Sequence, residues 1–235
     1  MRRTLMILAA TMAAALLTAA PAAHAAPTRT AQAFVDALKA AQLEARAVAT
    51  TIEPAIKQVE PCVRVAAEAP AKHAPEALAL GFNAVFADAM IAPLTPTLTR
   101  LQAAFDAIPT QDPVLRSVRA TWRVTVGQFT AFGSSKPICD ALAAWKAAGW
   151  KPSARPDVLK LIGADQFTEK RNDAFERTFK RAERRLRALG VSKRDARLIR
   201  GDDVVKPVTD RLDKVLEPFF ETLFESSDPD DSEDD

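Results

Sequence analysis

The chain has 235 residues with 32 Lys+Arg against 30 Asp+Glu, two cysteines, seven glycines and no tyrosine. No run of alternating strand formers has useful length, and alanine is abundant, so composition excludes a β-rich fold and predicts helices packed closely through small residues. The two histidines, His24 and His73, leave little room for histidine-based catalysis.

Arg2 and Arg3 precede the apolar run Leu5 to Leu17, Pro21 breaks it, and Ala23-His24-Ala25 gives the small-x-small pattern of a cleavage site. Residues 1–25 therefore read as a cleavable export signal. The run is too short for a stable spanning helix, which needs about 20 apolar residues. Removal of Arg2 and Arg3 leaves 30 bases against 30 acids, so the mature chain is formally neutral. It is expected to be periplasmic or extracellular, and not transmembrane after cleavage.

A first helix is predicted from about Ala31 to Ala67. Phe34, Leu38, Ala41, Ala45, Val48, Ile52, Ala55, Val59 and Cys62 recur at steps of four and three, a stripe that one neighbour can cover. Pro54 or Pro61 should kink or break it. Pro70 to Pro75 reads as a connector that leaves His73 in a solvated loop. A second span, Glu76 to Ile108, should be split by Pro93 and Pro96. Asp112-Pro113 resembles a helix cap followed by proline at the first helical position, opening a third span to Phe132. Gly133-Ser134-Ser135 is a turn, and the next helix runs from Pro137 to near Gly149.

Lys151 to Pro156 is the best internal linker, followed by a short helix, Asp157 to Ile162. The longest regular helix is expected from Gln166 to Leu189, closed by Gly190. Ser192 with Asp195 resembles a capping box. A last helix from Val204 to Phe224 should bury Val208, Leu212, Val215, Phe219 and Leu223. Residues 225–235 carry seven acids and no base and read as a disordered acidic tail. The expected fold is all-α: an irregular antiparallel bundle of about six to eight helices in one domain, 26–224, with a sub-boundary at 151–156 as the alternative division.

An even number of cysteines in an exported chain predicts one disulfide, Cys62–Cys139, rather than two buried thiols. Closing 77 residues gives about 4 kcal/mol in the loop-entropy treatment. The cysteines are not spaced for redox or zinc chemistry, and no phosphate-binding loop, nucleophile elbow or calcium loop is present. No cofactor and no metal site is expected. Glu53 and Glu60 share a helix face and are the carboxylates weighed for acid–base work; they read as solvated. Trp122, Trp145 and Trp150 read as core.

Residues 170–200 carry twelve bases against four acids. On the predicted helix, Phe175, Phe179, Ala182, Leu186 and Leu189 form one stripe. Lys170, Arg177, Lys180, Arg181, Arg184 and Arg187 cluster opposite them. Glu176 with Lys180 and Glu183 with Arg187 are the i,i+4 pairs expected to steady it. This basic face is the candidate binding surface, for an anionic envelope polymer, lipid head groups or an acidic protein; the exported compartment argues against nucleic acid. The acidic tail could compete for the same face.

The function expected is that of a non-enzymatic interaction module. Two alternatives make different demands. A helical carrier or chaperone needs an apolar groove lined by residues such as Phe82, Phe86, Phe105 and Trp122. A hydrolase or transferase acting on envelope material needs a cleft with two close acids.

Overall fold

The computed structural model describes residues 27–161 and 169–225, and every regular element among them is a helix. The export segment 1–25, the stretch beyond Glu225, Gln166 and Ile162 lie outside the described residues.

Helix α1 (Arg29–Val48) opens with Thr28 accepting from the Ala31 N–H. It passes through a 3-10 turn, Ala49–Thr51, into α2 (Ile52–Ala67). The predicted break thus falls just before Pro54. The ring of Pro54 crowds the carbonyl four residues back, at Thr50, and Pro54 sits in the first turn of α2, where its missing N–H costs nothing. The hydroxyls of Thr50 and Thr51 donate to the carbonyls of Ala47 and Val48 at 2.7 and 2.8 Å. Pro61 lies inside α2 without ending it. Three residues at about 120° each rather than 100° turn the buried stripe by about 60°, so the two helices face different neighbours. α1 buries Phe34, Leu38, Ala41 and Ala45, and α2 buries Ile52, Ile56, Val59, Val63 and Ala66. The α2 stripe keeps the 3.6-residue period, which leaves Cys62 and Ala55 half-buried on its flank rather than at its centre.

Helix α3 (Ala74–Phe86), a π turn (Ala87–Ile91) and α4 (Ala92–Ala107) form one rod. Pro93 and Pro96 do not split this span as their positions predict: the wider turn comes just before Pro93, and Pro96 lies inside α4 without ending it. In the wider turn the Ala92 N–H reaches back five residues to the Ala87 carbonyl, which accommodates the donor and the space that Pro93 denies an α register. The rod is long and apolar enough to cross a membrane by length and composition, yet 56% of its apolar window is buried. Its covering is protein: α3 packs against α2 and α6, and α4 packs against α1 and α5. Gly81 lets α3 and α2 approach, since a Cβ there would stand 3.2 Å from that of Ala66.

Asp112 caps α5 (Pro113–Phe132) as predicted, accepting from the N–H groups of Val114 and Leu115 at 2.9 and 3.2 Å. The π turn then aims Asp88 at the start of α6 (Lys136–Ala147), where its carboxylate accepts from the Ser135 N–H and hydroxyl. Cys62 on α2 and Cys139 on α6 are at disulfide distance, with Cα atoms 5.3 Å apart. Past α6, Trp145 and Trp150 pack edge to face at 5.0 Å, and the Trp145 indole donates to the Lys151 carbonyl. His73 joins this cluster 5.4 Å from Trp145. It is 8% exposed, not the solvated loop residue that the connector sequence predicts. The connector folds back so that His73 precedes α3 directly, turning its ring inward.

A 3-10 turn (Pro152–Ala154) and α7 (Val158–Leu161) lead to α8 (Glu169–Ala188). Gly190, at φ 92°, ends α8 in the left-handed conformation glycine favours. Helix α9 (Lys193–Arg197) starts at Ser192, whose hydroxyl accepts from the Asp195 N–H, and runs through a 3-10 turn, Leu198–Arg200. The final helix, α10 (Asp202–Glu225), is the longest single helix among the described residues at 24 residues. It buries Val204, Val208, Leu212 and Leu216, with Val215 and Phe219 half-buried; the Leu223 side chain lies outside the described residues. α10 packs on α1 and α2, and α8 packs on α5. One hydrophobic cluster therefore runs from Ala31 to Leu216, across the linker at 151–156.

Candidate functional site

The α8 sequence allows one orientation. Ala182 and Leu186 are buried and Phe175 and Phe179 half-buried, with Phe179 meeting Trp122 of α5 at 5.9 Å between ring centroids. At 100° per residue the opposite side must carry Arg177, Lys180, Arg181, Arg184 and Arg187, and all five are exposed. Lys170 belongs to the same helix, and its side chain lies outside the described residues.

Pairing decides which of these charges face solvent alone. Lys180 lies 2.5 Å from Glu176, as the i,i+4 spacing predicts, and this hydrogen bond holds the Glu176 carboxyl below its ordinary range. Glu183 does not pair with Arg187. It is 9% exposed and turns away from the outer face to accept from the Arg200 Nε at 2.6 Å. A buried carboxylate needs a buried-side partner, and Arg200, at the end of the 3-10 turn after α9, supplies it. Arg185, on the flank, donates to Asp112 at 2.5 Å. Burial pushes the Asp112 carboxyl up, but Arg185 and the two capping N–H groups outweigh it and hold the group below the usual range. The Arg184 Nε reaches only the Lys180 carbonyl. Arg177, Arg181, Arg184 and Arg187 thus have no acidic partner among the described residues.

One depression adjoins the end of this face, and a second lies beyond it on α9, α1 and α10. The first, about 430 Å³, lies between Arg184, Arg187 and Ala188 of α8 and Val191 and Lys193 beyond the turn. The other, about 690 Å³, is bounded by Lys39, Gln42 and Arg46 of α1, Arg194 and Asp195 of α9, and Asp203, Lys206 and Asp210 of α10. Its acids are already engaged: Asp195 by Lys39 at 3.0 Å, Asp203 by Arg197 at 3.2 Å and Asp210 by Lys206 at 2.6 Å. Arg46, Lys193 and Arg194 keep unpaired charges among the described residues. Lys193 and Arg194 belong to the basic stretch visible in the sequence, but their place at the site is not visible there. Arg46 carries no sequence signal, because only the packing of α1 on α10 and the α9 turn brings it there.

The residues weighed for other chemistries are dispersed. Glu53 lies between Lys57 and Arg211 at 3.5 and 3.1 Å, and Glu60 holds Arg64 at 2.6 Å. The described carboxyls with resolved shifts, Glu44, Asp106, Asp112 and Glu176, are all lowered. For Glu44 the main cause is the Arg100 hydrogen bond, and for Asp106 it is the nearby Gln102 amide followed by the Arg123 hydrogen bond at 3.0 Å. A general acid at neutral pH needs the opposite shift. Among the described residues no three His, Cys, Asp or Glu side chains form a group that could hold a metal ion.

Phe105 and Trp122, 6.1 Å apart, are buried in the main core, whereas Phe82 is 45% exposed and stacks on Phe86 at 6.5 Å. The four aromatic residues do not line one groove. Trp145 and Trp150 are core as well.

No family model, curated protein or solved structure matches the chain.

Proposed function

We propose that the chain is an exported, non-enzymatic interaction module of the cell envelope or extracellular space, folded as an irregular antiparallel helical bundle. The outer face of α8 serves as its anion-binding surface. The observation that carries this reading is the set of four exposed arginines, Arg177, Arg181, Arg184 and Arg187, left without acidic partners among the described residues while neighbouring acids are drawn to other bases. The helix that carries the guanidinium groups is fixed by the burial of Ala182 and Leu186, so binding orders the side chains but not the backbone. The Cys62–Cys139 pair accords with an oxidising compartment.

The test is binding of the mature chain to long-chain inorganic polyphosphate over a range of salt. The wild type is expected to bind with a steep negative dependence of log affinity on log salt. Arg177→Gln/Arg181→Gln/Arg184→Gln/Arg187→Gln should flatten that slope by about 3, at roughly 0.7 for each phosphate no longer neutralised. Salt-independent binding, or an unchanged slope in the quadruple variant, removes the reading. Export is tested by mass spectrometry of the secreted protein, which should begin at Ala26.

A further inference from the structure

We infer that the binding surface does not end with α8 but continues around the α8–α9 turn into the α1–α9–α10 groove, forming a curved cationic track for a linear phosphate polymer. This rests on the reading of α8 as an anion surface and names its ligand class and extent. On α8, Arg177, Arg181, Arg184 and Arg187 advance about one turn at a time, with neighbours roughly 5–6 Å apart. The row spans about 15 Å. A single phosphate can engage at most two of these groups; only a chain of repeated anions can engage the row.

At its end the row enters the depression shared by Arg184, Arg187 and Lys193. The next residue, Arg194, lines the larger groove with Arg46 on its α1 side. Three features single out this path. First, the groove's carboxylates Asp195, Asp203 and Asp210 are each neutralised by a lysine or arginine, so Arg46 and Arg194 supply its uncompensated charge. Second, every unpaired cation on the path except Lys193 is an arginine, whose planar fork binds phosphate oxygens in pairs. Third, among the described residues the exposed large hydrophobic side chains are Leu43, Phe82 and Val124; none is on α8 or α9, and Leu43 alone, on α1, stands near the track. A helix that binds a bilayer sets apolar side chains beside its bases, and a flat membrane cannot follow a surface that bends into two grooves. A flexible chain can.

The experiment compares the mature wild type, Arg46→Gln/Arg194→Gln and Arg184→Gln/Arg187→Gln by calorimetry. The titrants are long-chain inorganic polyphosphate, triphosphate, polyglutamate and vesicles of phosphatidylglycerol in phosphatidylcholine, with circular dichroism confirming the fold of each variant. Arg46→Gln/Arg194→Gln is expected to weaken long-chain polyphosphate binding about twentyfold near 0.1 M salt and to reduce the salt slope by about 1.4. It should leave triphosphate binding unchanged within twofold. If this variant binds the long chain as the wild type does while Arg184→Gln/Arg187→Gln does not, the track is wrong and the α8 surface stands. If the wild type binds no anion, the α8 reading itself fails. Equal affinity for polyglutamate overturns the phosphate assignment, and preference for vesicles overturns the polymer.

Discussion

The two sides of the molecule treat charge differently. On the side built from α1 to α6 and the turn that follows, several bases meet acids across element boundaries: Arg100 with Glu44 at 2.6 Å, Arg123 with Asp106 at 3.0 Å, Arg155 with Glu76 at 3.3 Å, and Lys146 with Glu68. The disulfide-distance pair ties α2 to α6 on the same side. On the α8–α9 side the acids are withdrawn to Arg200, Arg185, Lys39 and Arg197, and a row of arginines remains without acidic partners among the described residues. Pairs of the first kind locate helices relative to one another, although each contributes little in water. Unpaired like charges in a row mildly destabilise a helix, and Glu183, engaged by Arg200, does not relieve them, so the row gains nothing in stability from its own charges.

The contrast can be broken most strongly on the paired side. Cys62→Ala/Cys139→Ala should lower the unfolding free energy by about 2–4 kcal/mol in urea melts, with polyphosphate affinity unchanged at temperatures where the variant is folded. A smaller loss would show that helix packing alone fixes α6 on α2.

Asp112 stands at the seam, capping α5 while holding Arg185 of α8. Asp112→Ala should cost about 1–2 kcal/mol. Because the folded state holds this carboxyl below its ordinary range, its contribution is fully present above about pH 4 and is lost as pH falls through the folded value. Wild-type stability should therefore decline on acidification below about pH 4. Asp112→Asn should show a shallower decline in the same window; parallel curves would mean that Asp112 is not the group responsible.

The smallest effects sharpen the contrast. Glu44→Gln, which removes the partner of Arg100, should cost no more than about 1 kcal/mol. Arg184→Gln/Arg187→Gln should stay within about 0.5 kcal/mol of the wild type, and any change should be towards greater stability. A clear loss on the arginine side would make those residues structural and undo the distinction.

Much of the fold was legible in the chain. The Asp112 and Ser192 caps, the stop at Gly190 and the tryptophans as core follow from local chemistry that tertiary packing did not override. The errors lie where local signals were incomplete. Pro93 and Pro96 announce a disturbed helix but not whether a break or a π turn will absorb it, because that depends on α1, α2 and α5 gripping the rod on both sides. His73, in a connector by sequence, is drawn inward by the Trp145–Trp150 pair, which no spacing reveals.

The candidate site divides in the same way. By itself, the sequence determined that α8 is amphipathic and that its outer face is basic, because a 3.6-residue period fixes which side chains share a side. Only the tertiary structure decided which of those charges remain unpaired. Glu183 was within reach of Arg187 along the helix, but burial forced it to a partner across the α8–α9 turn. The 3-10 turn after α9, packed on α1 and α10, set Arg46 and Arg194 on the walls of one groove. Periodicity places residues on one helix; the matching of charges between helices, and any groove they share, is decided by how the helices pack.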